Sequence, residues 1–468
     1  MPQNSLIDPP TDSESQQDEQ FPAADLDCDA PIKNSRLLSK LPMAVVWALV
    51  AQGIFSVTRL LASMTVGGRF GPGSEEQLGY YSSAFGILMI LIGIHEALVT
   101  TPLTVFNQKV AETDRRRLSA SALVFSLLVA ALVLAGTGIL FIVQVGTNVL
   151  PGNVGLALLV VCALAPLQLL REFSRRWLLA NLAVKASALM ECVFAAMFLI
   201  SLMTLVATSN VSAVSVFIAI GCVNVVGLCV WWFIYREQFQ FSRTAAVSQM
   251  RENFRYGRWV AGENFCSTVI MYACVWILMF MLGEASAGVF FACFTIVMLA
   301  NPFLLGVSSL LAPRAAQEFV NNGWPGLRRV LLRYGAFITV VLIGFAGFLL
   351  VFGEALTELF FSSKYSEFFQ EHYNGRNWVT ATLGLAMPLL GVSFVATNGL
   401  LAINRPNDSF IASIVGLFVL IGANLSFPEP SLQTAAISFV VSVAAGMVCR
   451  LVFLIRAYQI ATKAQLAP

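Results

Sequence analysis

The chain has 468 residues, of which 57% are hydrophobic and 12% charged, with a formal net charge of +2. This balance excludes an ordinary soluble protein, and basic residues scattered in short bursts between apolar runs exclude a nucleic-acid patch. Nine cysteines form no C-x-x-C pair and most lie inside apolar runs, while two histidines, His95 and His372, are too few for a histidine-based metal centre, so no metal or cofactor is expected.

The first 32 residues carry eight Asp or Glu and no Lys or Arg, a composition that cannot bury enough surface to fold and lacks the charged start of a signal peptide. Residues 1–40 are therefore expected to be a disordered cytoplasmic tail. Apolar runs of about 20 residues, the length that crosses a bilayer as a helix, then follow one another. They predict spans at 44–66, 78–99, 123–143, 154–170, 186–206 and 214–234 in a first lobe, 41–234. After a cytoplasmic linker, 235–258, they predict 259–281, 287–311, 332–352, 379–400, 410–425 and 435–455 in a second lobe, 259–456, with a short tail, 457–468.

Lys and Arg mark every second connection: Lys33, Arg36 and Lys40; Lys109 and Arg115 to Arg117; Arg171, Arg175, Arg176 and Lys185; Arg236 to Arg258; Arg314, Arg328 and Arg329; Arg405; Arg456. The other connections hold only Arg69, Lys364 and Arg376, so both termini are expected in the cytoplasm and the number of spans is even. Trp231, Trp232, Trp259 and Trp378 stand at span ends, as interfacial anchors do.

A repeat runs through this pattern. At an offset of 212, Gln52 falls on Asn264 and Gly71 on Gly283; at 211, Thr101-Pro102 falls on Ala312-Pro313; and Leu178-Leu179-Ala180 matches Leu400-Leu401-Ala402. Matches in the same order at equivalent positions predict an all-α membrane protein of about twelve helices in two six-helix lobes, related as parallel repeats by a pseudo-twofold axis along the membrane normal.

Leu78-Gly79-Tyr80-Tyr81 through Ile92 to Phe106, Arg171-Glu172-Phe173-Ser174-Arg175-Arg176-Trp177-Leu178-Leu179-Ala180, Tyr256-Gly257-Arg258-Trp259 and Leu311-Ala312-Pro313-Arg314 resemble segments of the polysaccharide (O-antigen and exopolysaccharide) flippases. That family shares the MOP superfamily with the multidrug and toxic-compound extruders (MATE) and the lipid II flippases. The resemblance implies a MATE-like transporter of the bacterial cytoplasmic membrane that flips a lipid-linked oligosaccharide by alternating access, beside membrane lipids and polysaccharide polymerase machinery, with a proton or sodium gradient as driver.

An ionisable group within the bilayer costs about 2.5 to 3.5 kcal/mol on insertion scales, so each needs a cavity, a partner or a reason. Arg59 sits well inside the first span and is the candidate to hold a pyrophosphate or acidic sugar, against a structural ion pair. Gln52, Asn264, Asn301 and Asn398 are candidates for sugar hydroxyls, and Asn224 is of the same type, although such amides also stitch helices together. His95 and Glu96, about 100° apart on one helix, and Glu191 and Glu263, expected near water at span ends, are candidates for ion coupling. Arg171, Arg175 and Arg176 are candidates for headgroup contact, against plain orientation signals. Pro302 and Pro388 are expected to bend their spans.

Two rivals stand beside this reading. A MATE-type drug or cation antiporter shares the fold. A membrane-embedded polymerase or ligase would work in a large outer loop, but the longest, 353–377, reads as a solvated acidic segment. The stretch Gly67 to Gly73 lacks the lysine and hydroxyl of a phosphate loop, so ATP is not the direct motor.

Overall fold

Long apolar runs without water to hydrogen-bond their backbones fold as helices, and local chemistry sets where each begins. The computed structural model describes residues 41–107, 112–147, 152–241, 243–373 and 378–466. The acidic tail 1–40, with Lys33, Arg36 and Lys40, as well as Lys109 and Arg376, lies outside the described residues.

The chain divides into the units Met1–Met43 and Ala44–Pro468, and of the first only Leu41–Met43 is described, at the start of a helix. The helices of the first half are α1 (Leu41–Val66), α2 (Glu75–His95), α3 (Thr101–Phe106), α4 (Glu112–Thr147), α5 (Gly152–Ala180), α6 (Val184–Ala207) and α7 (Ala213–Tyr235). Those of the second are α8 (Arg243–Leu282), α9 (Glu284–Val297), α10 (Asn301–Phe361), α11 (Ser363–Tyr373), α12 (Trp378–Ala402), α13 (Pro406–Ser426) and α14 (Leu432–Leu466). All twelve predicted spans fall on helices, and no strand occurs among the described residues. Among the described residues, ten stretches are long and apolar enough to cross a bilayer, making this a multi-pass integral membrane protein. One of the ten, 284–361, contains predicted spans eight and nine and turns sharply at Gly323, whose φ of 59° favours glycine.

Hydroxyl caps start several helices. Ser74 accepts from the Gln77 backbone N–H ahead of α2, whose first turn holds Glu75 and Glu76, and Ser212 and Ser215 form a reciprocal cap on α7. The Gln77 side chain in turn accepts from the Ala213 backbone, fixing the start of α2 against that of α7.

The repeat is visible in two places. The starts of α2 and α9 cross so closely that a Cβ at Gly79 would collide with the Glu284 carbonyl and one at Gly288 with the Glu75 carbonyl. This reciprocity relates residues 209 apart, not the 212 read for Gly71 and Gly283. Second, α5 and α12 end in one turn: Ala183 and Arg405 donate to Leu178 and Leu400, and Leu182 and Asn404 both have φ 58°. These equivalents are 222 apart, so the halves drift in register as their loops differ in length.

Other expectations are corrected. The segment 353–377 is not simply a solvated loop: α10 continues to Phe361, and α11 buries Tyr365 and Phe369, with the Tyr365 hydroxyl donating to the Gly67 carbonyl at 3.2 Å. Burial, with Glu75 and Cys293 nearby, holds that phenol well above its usual pKa, so the donor stays protonated. Trp231 is no interfacial anchor, because its ring is buried against Phe173, Trp177 and Phe239. Pro302 does follow a break, the tight turn Met298–Ala300 between α9 and α10, and Pro388 lies inside α12.

Candidate functional site

Helix α2 holds the two halves together. It packs along α8 and α9, and a Cβ at Gly257 of α8 would strike the Ala97 carbonyl. Just past His95, α2 widens into a five-residue π-turn, Glu96–Thr100, in which the Thr101 N–H reaches back to the Glu96 carbonyl. Pro102, lacking an N–H, follows directly, and this irregularity re-aims the side chains of the turn. The expected divergence of His95 and Glu96 is met: His95 is buried and bonds Ser126 of α4 at 2.8 Å, while Glu96 faces the interior space.

That space consists of adjoining cavities. A central one of about 370 Å³ lies between the halves, lined by Arg59, Glu96 and Asn264 with the aromatic walls Tyr81, Phe85 and Tyr272. A second, of about 530 Å³, opens among the second-half helices and shares Glu96, Asn264, Thr268 and Asn301 with the first. A small one, about 80 Å³, lies among the first-half helices and shares Arg59, Tyr81 and Phe85. Asn264, Asn301, Asn398, Glu96, Glu263 and Arg59 are thus brought around one interior, whereas Gln52 is half-buried on α1 and lines none of the three.

The carboxylates facing this interior are all paired. Arg171 donates to Glu191 at 2.5 Å and Arg175 to Glu172 at 2.7 Å, and Arg176 pairs with Glu96. Glu191 and Glu263, expected near water, are buried instead, because each has a guanidinium folded over it. Arg171, Arg175 and Arg176 all end on carboxylates, the last pair being about a third exposed at 32% and 35%. Asn224 is likewise a stitch, donating to Gln168 at 2.8 Å.

In the second half, Arg450 of α14 is buried in a cradle of hydroxyls: it donates to Ser413 at 2.6 Å, Ser393 at 2.9 Å and Ser409 at 3.2 Å, with Glu263 3.5 Å away. The Ser409 hydroxyl in turn donates to Glu263 at 2.5 Å. Sequence reasoning missed Arg450, because an arginine six residues before Arg456 reads as one more orientation charge. The signal was its apolar flank, Val448-Cys449 and Leu451-Val452, too deep in a span for a loop residue.

Arg59 is the exception. It forms no ion pair with a carboxylate among the described residues. Its guanidinium lies over the Phe85 ring at 4.5 Å and near the Phe55 ring at 5.5 Å, beside the Tyr272 hydroxyl. Cation–π contact and the Tyr272 hydroxyl together offset part of its desolvation. With the other charges matched, the interior carries an uncompensated positive charge on its first-half wall.

The comparisons with known proteins bear on the architecture. No family model and no curated protein matches the sequence. Among solved structures, an inward-facing multidrug resistance MATE family transporter of the MOP superfamily superposes with a TM-score of 0.73 at 14% identity, over 90% of this chain and 99% of that one. The fold is that of the MOP-superfamily transporters. An outward-facing multidrug resistance MATE transporter gives 0.68 at 14% identity over 90% and 94% of the two chains. A MOP-superfamily transporter from Pyrococcus furiosus, described by a binding pocket of reversed polarity that suggests a different function, gives 0.68 at 13% identity over 89% and 94%. Within that fold, the interior of this chain carries Arg59 as a cation with no carboxylate partner among the described residues.

Proposed function

We propose that this protein is a membrane transporter that flips an anionic lipid-linked oligosaccharide across the cytoplasmic membrane by alternating access between its two halves. The observation that carries the reading is Arg59, a cation with no carboxylate partner among the described residues, facing a cavity continuous with a larger chamber rich in hydroxyls and amides. A guanidinium in a low-dielectric cavity attracts a pyrophosphate or an acidic sugar and repels a cation. Asn264, Asn301 and Asn398, with the serines around Arg450, supply the donors and acceptors that sugar hydroxyls need. The buried pairs Glu191–Arg171 and Glu263–Arg450 are the candidates to couple an ion gradient, since a carboxylate that trades its arginine for a proton changes helix contacts.

A second reading, a drug or cation antiporter, is favoured by the aromatic walls of the central cavity, which suit organic cations. The ring at Phe85 is already covered by Arg59, and that counts against it. Deleting the gene separates the two. Loss of surface polysaccharide with accumulated lipid-linked precursor supports flipping; unchanged polysaccharide with new sensitivity to cationic dyes overturns it in favour of the antiporter.

A further inference from the structure

We infer that a groove at the arginine-rich start of α4 binds the headgroup of an anionic phospholipid from the surrounding bilayer. The groove, of about 780 Å³, is walled by Arg115, Arg116 and Arg117 on one side and by Trp177, Asn181 and Gln240 on the other. Consecutive helical residues fan out by about 100° each, so the three guanidinium groups wrap its wall instead of forming a line. Its one carboxylate among the described residues is Asp114, 3.8 Å from Arg117, and both side chains are more than half exposed, a screened pair that holds the arginine weakly. The Arg115 Nε is buried and has no hydrogen-bond partner. The terminal nitrogens of these guanidinium groups are the donors a phosphate takes in bidentate fashion.

The remaining walls match the rest of a glycerophospholipid. Trp177 is buried, its indole donating to Ser119 at 2.9 Å and its ring stacked on Phe239 with centroids 5.3 Å apart, so it fixes the wall behind the groove. The Gln240 backbone N–H donates to the Arg116 carbonyl at 3.2 Å and closes the far wall, leaving the amides of Gln238 and Gln240 for headgroup hydroxyls, while the Asn181 amide donates to the Trp177 carbonyl at 2.9 Å. Leu182 and Phe241, 65% and 60% exposed, continue the surface beyond Asn181 and Gln240 in apolar form, as an acyl chain requires and a soluble phosphate does not. Arg171, Arg175 and Arg176, by contrast, already end on carboxylates. The inference is independent of the transported substrate.

The test is native mass spectrometry of the full chain released from nanodiscs of phosphatidylcholine doped with phosphatidylglycerol. Wild type is expected to retain phosphatidylglycerol in preference to phosphatidylcholine, and Arg115→Gln with Arg117→Gln to retain it roughly thirtyfold less, the loss expected for two arginines at an anionic headgroup. Arg115→Lys with Arg117→Lys keeps the charge without the fork, so intermediate retention supports the site. Should the glutamine variant fail to fold, raising the ionic strength on wild type must lower phosphatidylglycerol retention and leave phosphatidylcholine unchanged. Equal retention of both lipids by wild type, or of phosphatidylglycerol by wild type and the glutamine variant, overturns the inference. Displacement of the lipid by an equal concentration of glycerol phosphate overturns the lipid as the ligand.

Discussion

A guanidinium taken out of water must draw its stabilisation from something nearby; Arg59 and Arg171 each lie over two rings, but only Arg171 also has a carboxylate, Glu191. The difference sets what each can do. Breaking a buried pair strands a charge, so Glu191→Leu is expected to lower stability by about 3 to 5 kcal/mol, and adding Arg171→Met to recover most of it. Thermal unfolding in detergent measures both, and a loss below about 1 kcal/mol for the single variant would mean that the pair is solvated. At this scale Arg59 was legible, because one charge in a run of apolar residues stands out in a linear reading. The partners were not: Glu191 lies 20 residues from Arg171 and Glu263 lies 187 from Arg450, and only the packing of separate helices joins them. The same blindness hid Arg450 behind the orientation charges and gave Arg171, Arg175 and Arg176 a headgroup role when their side chains turn to Glu191, Glu172 and Glu96.

The elements were the most legible part, since hydropathy and length act locally and all twelve predicted spans are helical. What escaped were the irregularities: the π-turn after His95, the long α10 bent at Gly323, and α11 tucked under its own aromatic side chains. Each depends on contacts from elsewhere in the chain. The crossing of α2 and α9 is the clearest case, because two glycines let backbone approach backbone where any side chain would intrude. Gly288→Ala is expected to cost about 1 to 3 kcal/mol, seen as a lower melting temperature, since neither colliding atom is a flexible side chain that can give way. Gly422→Ala, whose Cβ meets nothing within 4 Å, serves as the control and is expected to leave the melting temperature unchanged or slightly raised. Equal effects at the two positions would deny the close crossing.

For the whole molecule, architecture and charge answer different questions. The halves, their crossing glycines and the likeness to MOP-superfamily transporters describe a scaffold, and a scaffold does not name its cargo, so the cargo has to be argued from what lines the interior. There the matched pairs cancel and Arg59 is left over. The measurement that bears on this most directly is translocation in proteoliposomes, comparing a fluorescent lipid-linked anionic oligosaccharide with a cationic dye for wild type, Arg59→Lys and Arg59→Ala. We expect wild type to move the lipid-linked sugar and not the dye, the lysine variant to keep part of that activity, and the alanine variant to lose it at an undiminished amount of inserted protein. Dye transport by wild type, or sugar transport that survives Arg59→Ala, would contradict the account.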